Sequence, residues 1–431
     1  MKLPWQAVEP LDARLFLEVK RAAIFECCKW DPQVEDVCTL SPLPLVLTGE
    51  AWRELVLLAE QLAQETIVAE RAILHQPRLL KKLGVPWALR RRLSAPEIVS
   101  GQSPHLRLIR FDFHFTTQGW RISEANSDVP GGFNEASGFT KLMAQHFGAA
   151  TISGDPSEAM ARAVGKIIGK SGTVALAHAT AFSDDRQVMT FLARCLQAAG
   201  HKAMLIAPDH LRWDKGRAFL AADWAEDPVD FVFRFFPAEW LPALPRRCGW
   251  WHLLGSSQTP LCNPALALIS QSKRFPLVWD ELPVRLPVWK ALLPKTFDVR
   301  DVVHCGLPVE SLVFKPAFGR VGDMIKMHGM TSDRDAAKIN RSIRRYPRMW
   351  VAQERFEAVP WFTPHGKIFP CFGVYTLDGK VIGVYGRIAH RPLIDHLAQD
   401  AAVLISKTVL PPILNETDHD ETIRTLQTLG A

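Results

Sequence analysis

The feature that most constrains the fold of this chain is strict alternation of apolar and polar side chains over residues 109–115. Successive side chains of a β-strand point to opposite faces, so the segment predicts a strand with one buried face and one face available for chemistry. The apolar face holds Ile109, Phe111, Phe113 and Phe115, and the polar face holds Arg110, Asp112 and His114.

A return strand is predicted over residues 120–126, because Thr117-Gln118-Gly119 is typical of a three-residue hairpin loop with glycine at its last position. A hairpin symmetric about Gln118 places Asp112 opposite Glu124 and Arg110 opposite Asn126. Two carboxylates and an amide then meet on one face.

Directly opposed carboxylates destabilise a strand pair, so Asp112 and Glu124 favour a cation between them. Mg²⁺ fits best, because it takes oxygen ligands from one or two carboxylates, water and substrate phosphates. The alternative is an ordinary hairpin with charged surface residues. The glycine-rich segment that follows, Ser127–Glu135, is either a loop that lets a substrate approach the backbone or a surface turn.

A second hairpin is predicted around residues 312–327, with Gly319 and Gly322 at its tip and Lys315 and Arg320 as its cations. Backbone N–H groups of such a loop bind phosphate oxygens, and we interpret the tip as a moving lid, although a plain β-turn fits the same glycines. The loop lacks the pattern of a P-loop or a Rossmann site.

Two further strand ends carry polar groups. Gln353 and Glu354 end a predicted strand where an adenine edge is readily recognised, or where they merely cap the strand. Arg387 ends another strand beside a glycine, in a position suited to clamp a phosphoryl group or an oxyanion.

Charge and composition narrow the class of protein. The net charge of +6 comes from scattered basic residues, which does not indicate nucleic acid binding but suits phosphate-bearing or carboxylate substrates. No apolar run is long enough to cross a bilayer and no signal peptide is recognisable, so we expect a cytoplasmic protein without a membrane partner. The 8 cysteines lack zinc or C-x-x-C spacing, which favours reduced thiols.

The order of the patterns predicts an α/β (α+β) chain. Apolar spacing over residues 52–63 indicates a helix in a helical amino-terminal region, strand and helix patterns over 173–207 indicate a small open α/β domain, and residues 265–279 are predicted to be helical. Strands dominate from Ser311, with a hairpin turn at Asp378-Gly379. We therefore divide the chain into a helical region (1–105), a metal-binding hairpin with its substrate loop (106–150), the small α/β domain (151–258), a nucleotide-binding and lid region (259–415) and a charged tail (416–431).

Taken in order, these motifs resemble the ATP-grasp ligases of the glutathionylspermidine synthase type, in which the metal-binding strands precede the nucleotide-binding lysines. The resemblance covers residues 106–410. Its motifs are Arg110-Phe-Asp112, Glu124-x-Asn126, Ser272-Lys273, Phe314-Lys315-Pro-x-x-Gly319-Arg320-x-Gly322, Gln353-Glu354 and Arg387.

The resemblance implies ATP and Mg²⁺ as cofactors and a role for each matched residue. By this resemblance, the metal ligands are Asp112, Glu124 and Asn126; the nucleotide contacts are Lys273, Lys315, Gln353 and Glu354; and Arg110, Arg320 and Arg387 hold the reacting groups.

An acidic pair that binds the amine in that family is matched in position by Asp184 and Asp185, and Asp400 is a further candidate amine contact. Asp184 alternatively caps the helix that follows it. The family places hydroxyl residues after its E-x-N motif where this chain has Val129, Gly131 and Gly132, which weakens the case for glutathione as the acid.

The residues and the resemblance together predict an ATP-dependent carboxylate–amine ligase that forms an amide bond through an acyl phosphate. Its partners are a small-molecule or short-peptide acid and an amine, and the chain is a possible homodimer. Two alternatives stay open: a phosphotransferase that acts on a hydroxyl, and a nucleotide-binding scaffold without turnover.

Overall fold

A computed structural model describes residues 2–34, 36–99, 105–221, 226–302, 306–319, 322, 324–363 and 366–407. Arg320 and the predicted charged tail at 416–431 lie outside the described residues.

The elements mix helices and strands along the whole described chain. The helices are α1 (Ala13–Glu26), α2 (Gly49–Leu74), α3 (Pro77–Lys82), α4 (Trp87–Leu93), α5 (Pro96–Val99), α6 (Thr140–Ala144), α7 (Pro156–Ile168), α8 (Ser183–Ala198), α9 (Leu268–Gln271), α10 (Pro287–Leu292) and α11 (Asp333–Arg345), with a π-helix at Asn134–Phe139. The strands are β1 (Trp5–Gln6), β2 (Gln33–Val34), β3 (Val37–Cys38), β4 (Leu45–Leu47), β5 (Leu108–Thr116), β6 (Gly119–Asn126), β7 (Ala150–Ile152), β8 (Thr173–His178), β9 (Lys202–Ile206), β10 (Leu211–Asp214), β11 (Arg217–Ala221), β12 (Glu226–Val229), β13 (Phe231–Phe235), β14 (Leu261–Cys262), β15 (Thr296–Asp298), β16 (Leu312–Pro316), β17 (Lys326–Met327), β18 (Trp350–Glu354), β19 (Trp361–Thr363), β20 (Gly366–Leu377), β21 (Lys380–Ala389), β22 (Gln399–Ala401) and β23 (Val403–Ser406). The fold is therefore mixed α/β, with several separate sheets.

The predicted hairpin forms one side of the largest sheet, in the order β22-β21-β20-β5-β6 with β19 paired to β20. Phe111 and Phe113 are fully buried on its apolar face, and the Phe111 ring packs edge-on against Trp289 of α10 at 5.9 Å. The opposite face carries the polar side chains that the alternation predicted.

The register of this hairpin is as predicted at the polar residues but not at the turn. Asp112 pairs with Glu124 and Arg110 with Asn126, whereas Thr116 pairs with Gly119, so the loop has two residues rather than three. A β-bulge reconciles the two ends, because Ser123 is an extra residue between the pairs Asp112–Glu124 and Phe113–Ile122. The prediction of a three-residue loop was wrong because sequence symmetry does not reveal a bulge.

The predicted small α/β unit contains a parallel sheet in the order β14-β13-β8-β9, with α8 connecting β8 to β9. Its central strands are buried, as expected for a parallel sheet covered on both faces. The three-stranded antiparallel sheet β10-β11-β12 was not predicted. The segment predicted as one helix over 265–279 consists of shorter helical pieces, with breaks around Ser272 and Lys273.

The amino-terminal region contains the predicted amphipathic helix, α2, whose residues Leu55, Ala59 and Leu62 are fully buried. It is not helical throughout, since β1 and β4 join β23 and β7 in a four-stranded sheet. The short apolar run Leu45–Leu47 is a fully buried strand, and such runs carry no alternation to identify them.

The strands near the predicted nucleotide site form the sheet β15-β18-β16-β17. Helix α11, between β17 and β18, was missed because it is highly charged and its apolar face is narrow, with only Ile339 buried. Its N-cap is Ser332, which accepts a hydrogen bond from the backbone N–H of Asp335. The turn at Asp378-Gly379 is confirmed, with both residues at positive φ. None of the described helices is long and apolar enough to cross a bilayer.

Candidate active site

A cavity of about 390 Å³ lies on the polar face of the largest sheet and brings most of the predicted site residues together. Its walls come from the hairpin β5–β6, the loop after β6, the start of α8, the nucleotide-side strands and the end of β21. The predicted residues that line it are Arg110, Asp112, Glu124, Asn126, Val129, Gly131, Gly132, Asp184, Asp185, Lys315, Gly322, Gln353, Glu354, Arg387 and Asp400.

Lys273 lies at a small adjoining hollow that shares Glu124, Lys315 and Gln353 with the main cavity. The Lys273 ammonium donates to the backbone carbonyl of Gly319 at 2.8 Å. Gly319 thus belongs to the same neighbourhood without lining the main cavity.

Arg110 and Asp112 form a two-point ion pair on β5. The Arg110 Nε lies 2.7 Å and a terminal nitrogen 3.0 Å from the two carboxylate oxygens of Asp112. Asn126 Nδ2 donates to Asp112 at 2.9 Å and lies 3.5 Å from Glu124, so the amide bridges the two carboxylates. Gly373 on the neighbouring strand makes room, because a Cβ there would lie 2.7 Å from Arg110 Cδ.

Glu124 is paired with Lys273, whose ammonium lies 2.9 Å from its carboxylate. Burial acts to raise the pKa of Glu124, but Lys273 and Lys315 outweigh it and hold this pKa at about 2. Glu124 is therefore ionised at neutral pH.

Lys315 is a second cation near Glu124. Its ammonium donates to Gln353 Oε1 at 2.7 Å and to the carbonyl of Ser123 at 3.1 Å. That carbonyl belongs to the bulged residue, so the bulge directs a backbone oxygen at the lysine. Burial lowers the pKa of Lys315 to about 8. Burial and the Lys315 charge likewise lower the pKa of His114 to about 4, so this cavity imidazole is neutral.

By residue type, Asp112, Glu124 and Asn126 carry side-chain oxygens of the kind that hold a small hard cation. In this structure Arg110 and Lys273 pair with the two carboxylates, and Asn126 turns its amide nitrogen towards them. No cluster of three or more His, Cys, Asp or Glu side chains that could hold a metal occurs among the described residues. A donor set of two carboxylates and one amide suits Mg²⁺, which takes its other ligands from water and substrate phosphates. It does not suit zinc, which prefers nitrogen and sulfur.

The loop that follows β6 begins with buried residues held by side chains from other parts of the chain, so it is not a surface turn. Ser127 and Asp128 are fully buried, and the Asp128 carboxylate forms a 2.5 Å ion pair with the buried Arg234. Gln271 Oε1 accepts the backbone N–H groups of Ser127 and Asp128. The carbonyl of Gly131 accepts hydrogen bonds from Arg110 and from the Tyr375 hydroxyl.

The cavity wall predicted to contact the nucleotide contains one contact that the sequence did not predict. Gln353 was expected to face an adenine, but its side chain bonds both Lys315 and the hydroxyl of Thr296 at 3.0 Å, so it holds the lysine in place. Apolar residues complete this wall: Val313, Ile325, Met327 and Phe356.

The cavity also has an acidic end, of which the sequence predicted Asp184, Asp185 and Asp400 but not the other members. Asp184 and Asp185 lie there in the first turn of α8, where Asp184 is not the N-cap, which is Phe182. Glu135 also lines this end, as do Lys29 and Asp31 from the chain before β2.

Asp400, predicted as an amine contact, pairs in register with Arg387, and their side chains approach to 3.9 Å. Glu135 is the last residue of the glycine-rich segment, and this position was the only sequence feature that connected it with the site. Lys29 and Asp31 lie in a region where no chemistry was recognised.

The chain is a mixed α/β protein with one cavity that has two parts. One part contains Lys315 and the pair Asp112–Glu124, and the other contains the carboxylates of Asp184, Glu135 and Asp400. The chain belongs to the glutathionylspermidine synthase preATP-grasp family, which matches residues 46–406. This confirms the family suggested by the sequence motifs.

Among solved structures, the chain is similar to a glutathione synthetase-like effector (GSS30) from Globodera pallida in its apo form. The two share 14% identity with a TM-score of 0.60, over 92% of this chain and 99% of that one, which shows a common fold. A protein of Methylobacillus flagellatus KT, described as a proposed gamma-glutamylcysteine synthetase, matches at 14% identity and a TM-score of 0.38, over 76% of this chain and 82% of that one. No curated protein matches the chain.

Proposed function

We propose that this chain is an ATP-dependent carboxylate–amine ligase of the ATP-grasp type, which forms an amide bond through an acyl phosphate and releases ADP. One observation carries the proposal: a single cavity joins the acidic pair Asp112–Glu124 and the cation Lys315 to an acidic end at Asp184 and Asp400. Family membership supports the same class of reaction.

The cationic end is suited to the nucleotide. Asp112, Glu124 and Asn126 would hold Mg²⁺, which when bound neutralises charge on the phosphates. Lys273 and Lys315 would contact the same phosphates, and the backbone N–H groups of Gly319 and Gly322 would lie over them. Without nucleotide, Lys273 instead neutralises Glu124 at 2.9 Å.

The acid would be held between Arg110 and Arg387. Arg110 is fixed by Asp112 and by the carbonyl of Gly131, so its charge is preorganised for an acyl phosphate and a tetrahedral oxyanion. A side chain at residue 132 has no room, since a Cβ there would lie 2.9 Å from the Tyr375 hydroxyl. This supports an acid that is bound through the loop backbone rather than by hydroxyl side chains.

The acidic end would take the amine as its ammonium form. Transfer requires the neutral amine, so the ammonium first gives up a proton to solvent. Its lone pair then forms the C–N bond as the C–O bond to phosphate breaks, and the leaving phosphate takes the second proton from the nitrogen. A cavity that excludes bulk water protects the acyl phosphate from hydrolysis.

The test is ADP release by the purified protein with ATP, Mg²⁺ and pools of amino acids, short peptides and amines. The proposal expects ADP only when acid and amine are both present, and an acyl hydroxamate when hydroxylamine replaces the amine. A stable phosphorylated product without hydroxamate identifies a phosphotransferase. Thermal stabilisation by nucleotide without any ADP release identifies a scaffold.

A further inference from the structure

A lysine of the chain itself occupies the acidic end of the cavity. Lys29 is 5% exposed, and its ammonium lies 2.7 Å from Glu135, 3.0 Å from Asp400 and 3.1 Å from Asp31. It comes from the segment between α1 and β2, before the residues that match the family. Nothing in the family match therefore assigns it a role.

Each of the three carboxylates around this ammonium already forms an ion pair with it. Asp400 also accepts a 2.5 Å hydrogen bond from the Tyr385 hydroxyl and faces Arg387 at 3.9 Å. Burial and the neighbouring Asp400 raise the pKa of Glu135 despite Lys29. A second cation would have to compete with Lys29 for the same three carboxylates.

We propose that Lys29 determines the specificity of the amine-binding end: its tethered ammonium holds the position that a second ammonium of a substrate would need, so the site selects monoamines over diamines and polyamines. The inference rests on the proposed ligase function. Asp184 and Asp185 line the same cavity and supply carboxylates for the one remaining ammonium.

The geometry supports exclusion rather than displacement. Three ion pairs from separate parts of the chain hold Lys29, and two of its partners, Glu135 and Asp400, are buried. Removing a cation from such a site leaves buried charges without a partner, so a flexible substrate cannot cheaply push it aside. Two ammonium groups in one buried pocket also repel each other strongly.

The first measurement uses the unmodified protein and two amines with the same four-carbon chain, n-butylamine and 1,4-diaminobutane, with ADP release as the readout. We expect kcat/KM to be at least about tenfold higher for the monoamine. Equal values for the two amines overturn the inference, and this comparison does not depend on any variant folding.

The second measurement uses Lys29→Met, which keeps the length of the side chain and removes its charge. We expect the preference to reverse, with kcat/KM for 1,4-diaminobutane rising about tenfold or more. Lys141→Met is the matched control, because Lys141 pairs with Asp155 and Glu158 away from the cavity, and it should keep the original preference. An unchanged preference in Lys29→Met overturns the inference.

Thermal unfolding separates this inference from the proposed function. We expect 1,4-diaminobutane to raise the Tm of Lys29→Met but not that of the unmodified protein. n-Butylamine should change the Tm of the two proteins by the same amount. This contrast needs no turnover. Absence of ADP release with every amine removes the ligase proposal, whereas absence of the Tm contrast removes the role of Lys29.

Discussion

The ammonium of Lys273 lies 2.9 Å from the carboxylate of Glu124 and donates at 2.8 Å to the carbonyl of Gly319. One side chain thus connects the hairpin β5–β6, the proposed metal site, to the predicted lid. Since Lys273 and Glu124 are both expected at the phosphates, nucleotide binding should exchange this internal contact for contacts with Mg²⁺ and phosphate.

Glu124→Gln should reduce ADP release about a hundredfold or more, because an amide supplies no charge to hold the metal ion. The chain should still fold, since glutamine keeps the shape of the side chain. Steady-state kinetics with varied Mg²⁺ measure the effect. Glu50→Gln, in an exposed pair with Lys2, is the control and should keep full activity; a fully active Glu124→Gln contradicts the metal assignment.

Glu124 should also stabilise the fold in a pH-dependent way. Its pKa in the folded chain is about 2, below the ordinary value of 4.5, so its contribution is present above about pH 4.5 and is lost as pH falls towards 2. Glutamine does not titrate, so the difference in the free energy of unfolding between the two proteins should narrow over that range. Urea denaturation at several pH values measures it, and a difference that does not depend on pH speaks against the shifted carboxylate.

Nucleotide affinity should fall above about pH 8 as Lys315 loses its proton, because burial holds the pKa of this lysine at about 8. The dissociation constant for ATP should rise by up to about tenfold per pH unit. Lys315→Arg keeps its charge over this range and should flatten the profile. Calorimetry from pH 7 to 9.5 measures both proteins, and parallel profiles exclude Lys315 as the titrating group.

Gly373→Ala should disturb the Arg110–Asp112 pair from the neighbouring strand. The new Cβ would lie 2.7 Å from Arg110 Cδ and 3.0 Å from an Asp112 oxygen, which we expect to cost about 1–3 kcal/mol of stability and most of the activity. Gly148→Ala is the control, since nothing lies within 4 Å of a Cβ there. Unchanged kinetics in Gly373→Ala show that Arg110 has freedom to move.

Asp128→Ala should destabilise the chain by about 3–5 kcal/mol, because it leaves the buried guanidinium of Arg234 without its carboxylate. Urea denaturation measures the loss. Removing an exposed partner, as in Glu50→Ala, should cost less than about 1 kcal/mol. A small effect at Asp128 would mean that water enters and solvates Arg234.

The sequence predicted the parts of the site that lie on regular strands. Alternation identified the polar face that carries Asp112, and the pairing with Glu124 followed from hairpin symmetry, although only a bulge at Ser123 makes that register compatible with a two-residue loop. Lys29 was not predictable, because its partners Glu135 and Asp400 are brought to it by tertiary packing alone. The domain boundaries and the chemical roles of the site residues stay predictions.

The sheet in the order β1-β4-β23-β7 has its central pairing between β4 and β23, which come from opposite ends of the described chain. During synthesis, β4 leaves the ribosome early. Its partner β23 contains some of the last described residues to be made, so β4 stays without this partner until then. Its hydrogen-bonding edge stays open in the interval. Maturation of this sheet is therefore a late event, and a nascent chain stalled before residue 403 should be a target for chaperones rather than a working intermediate.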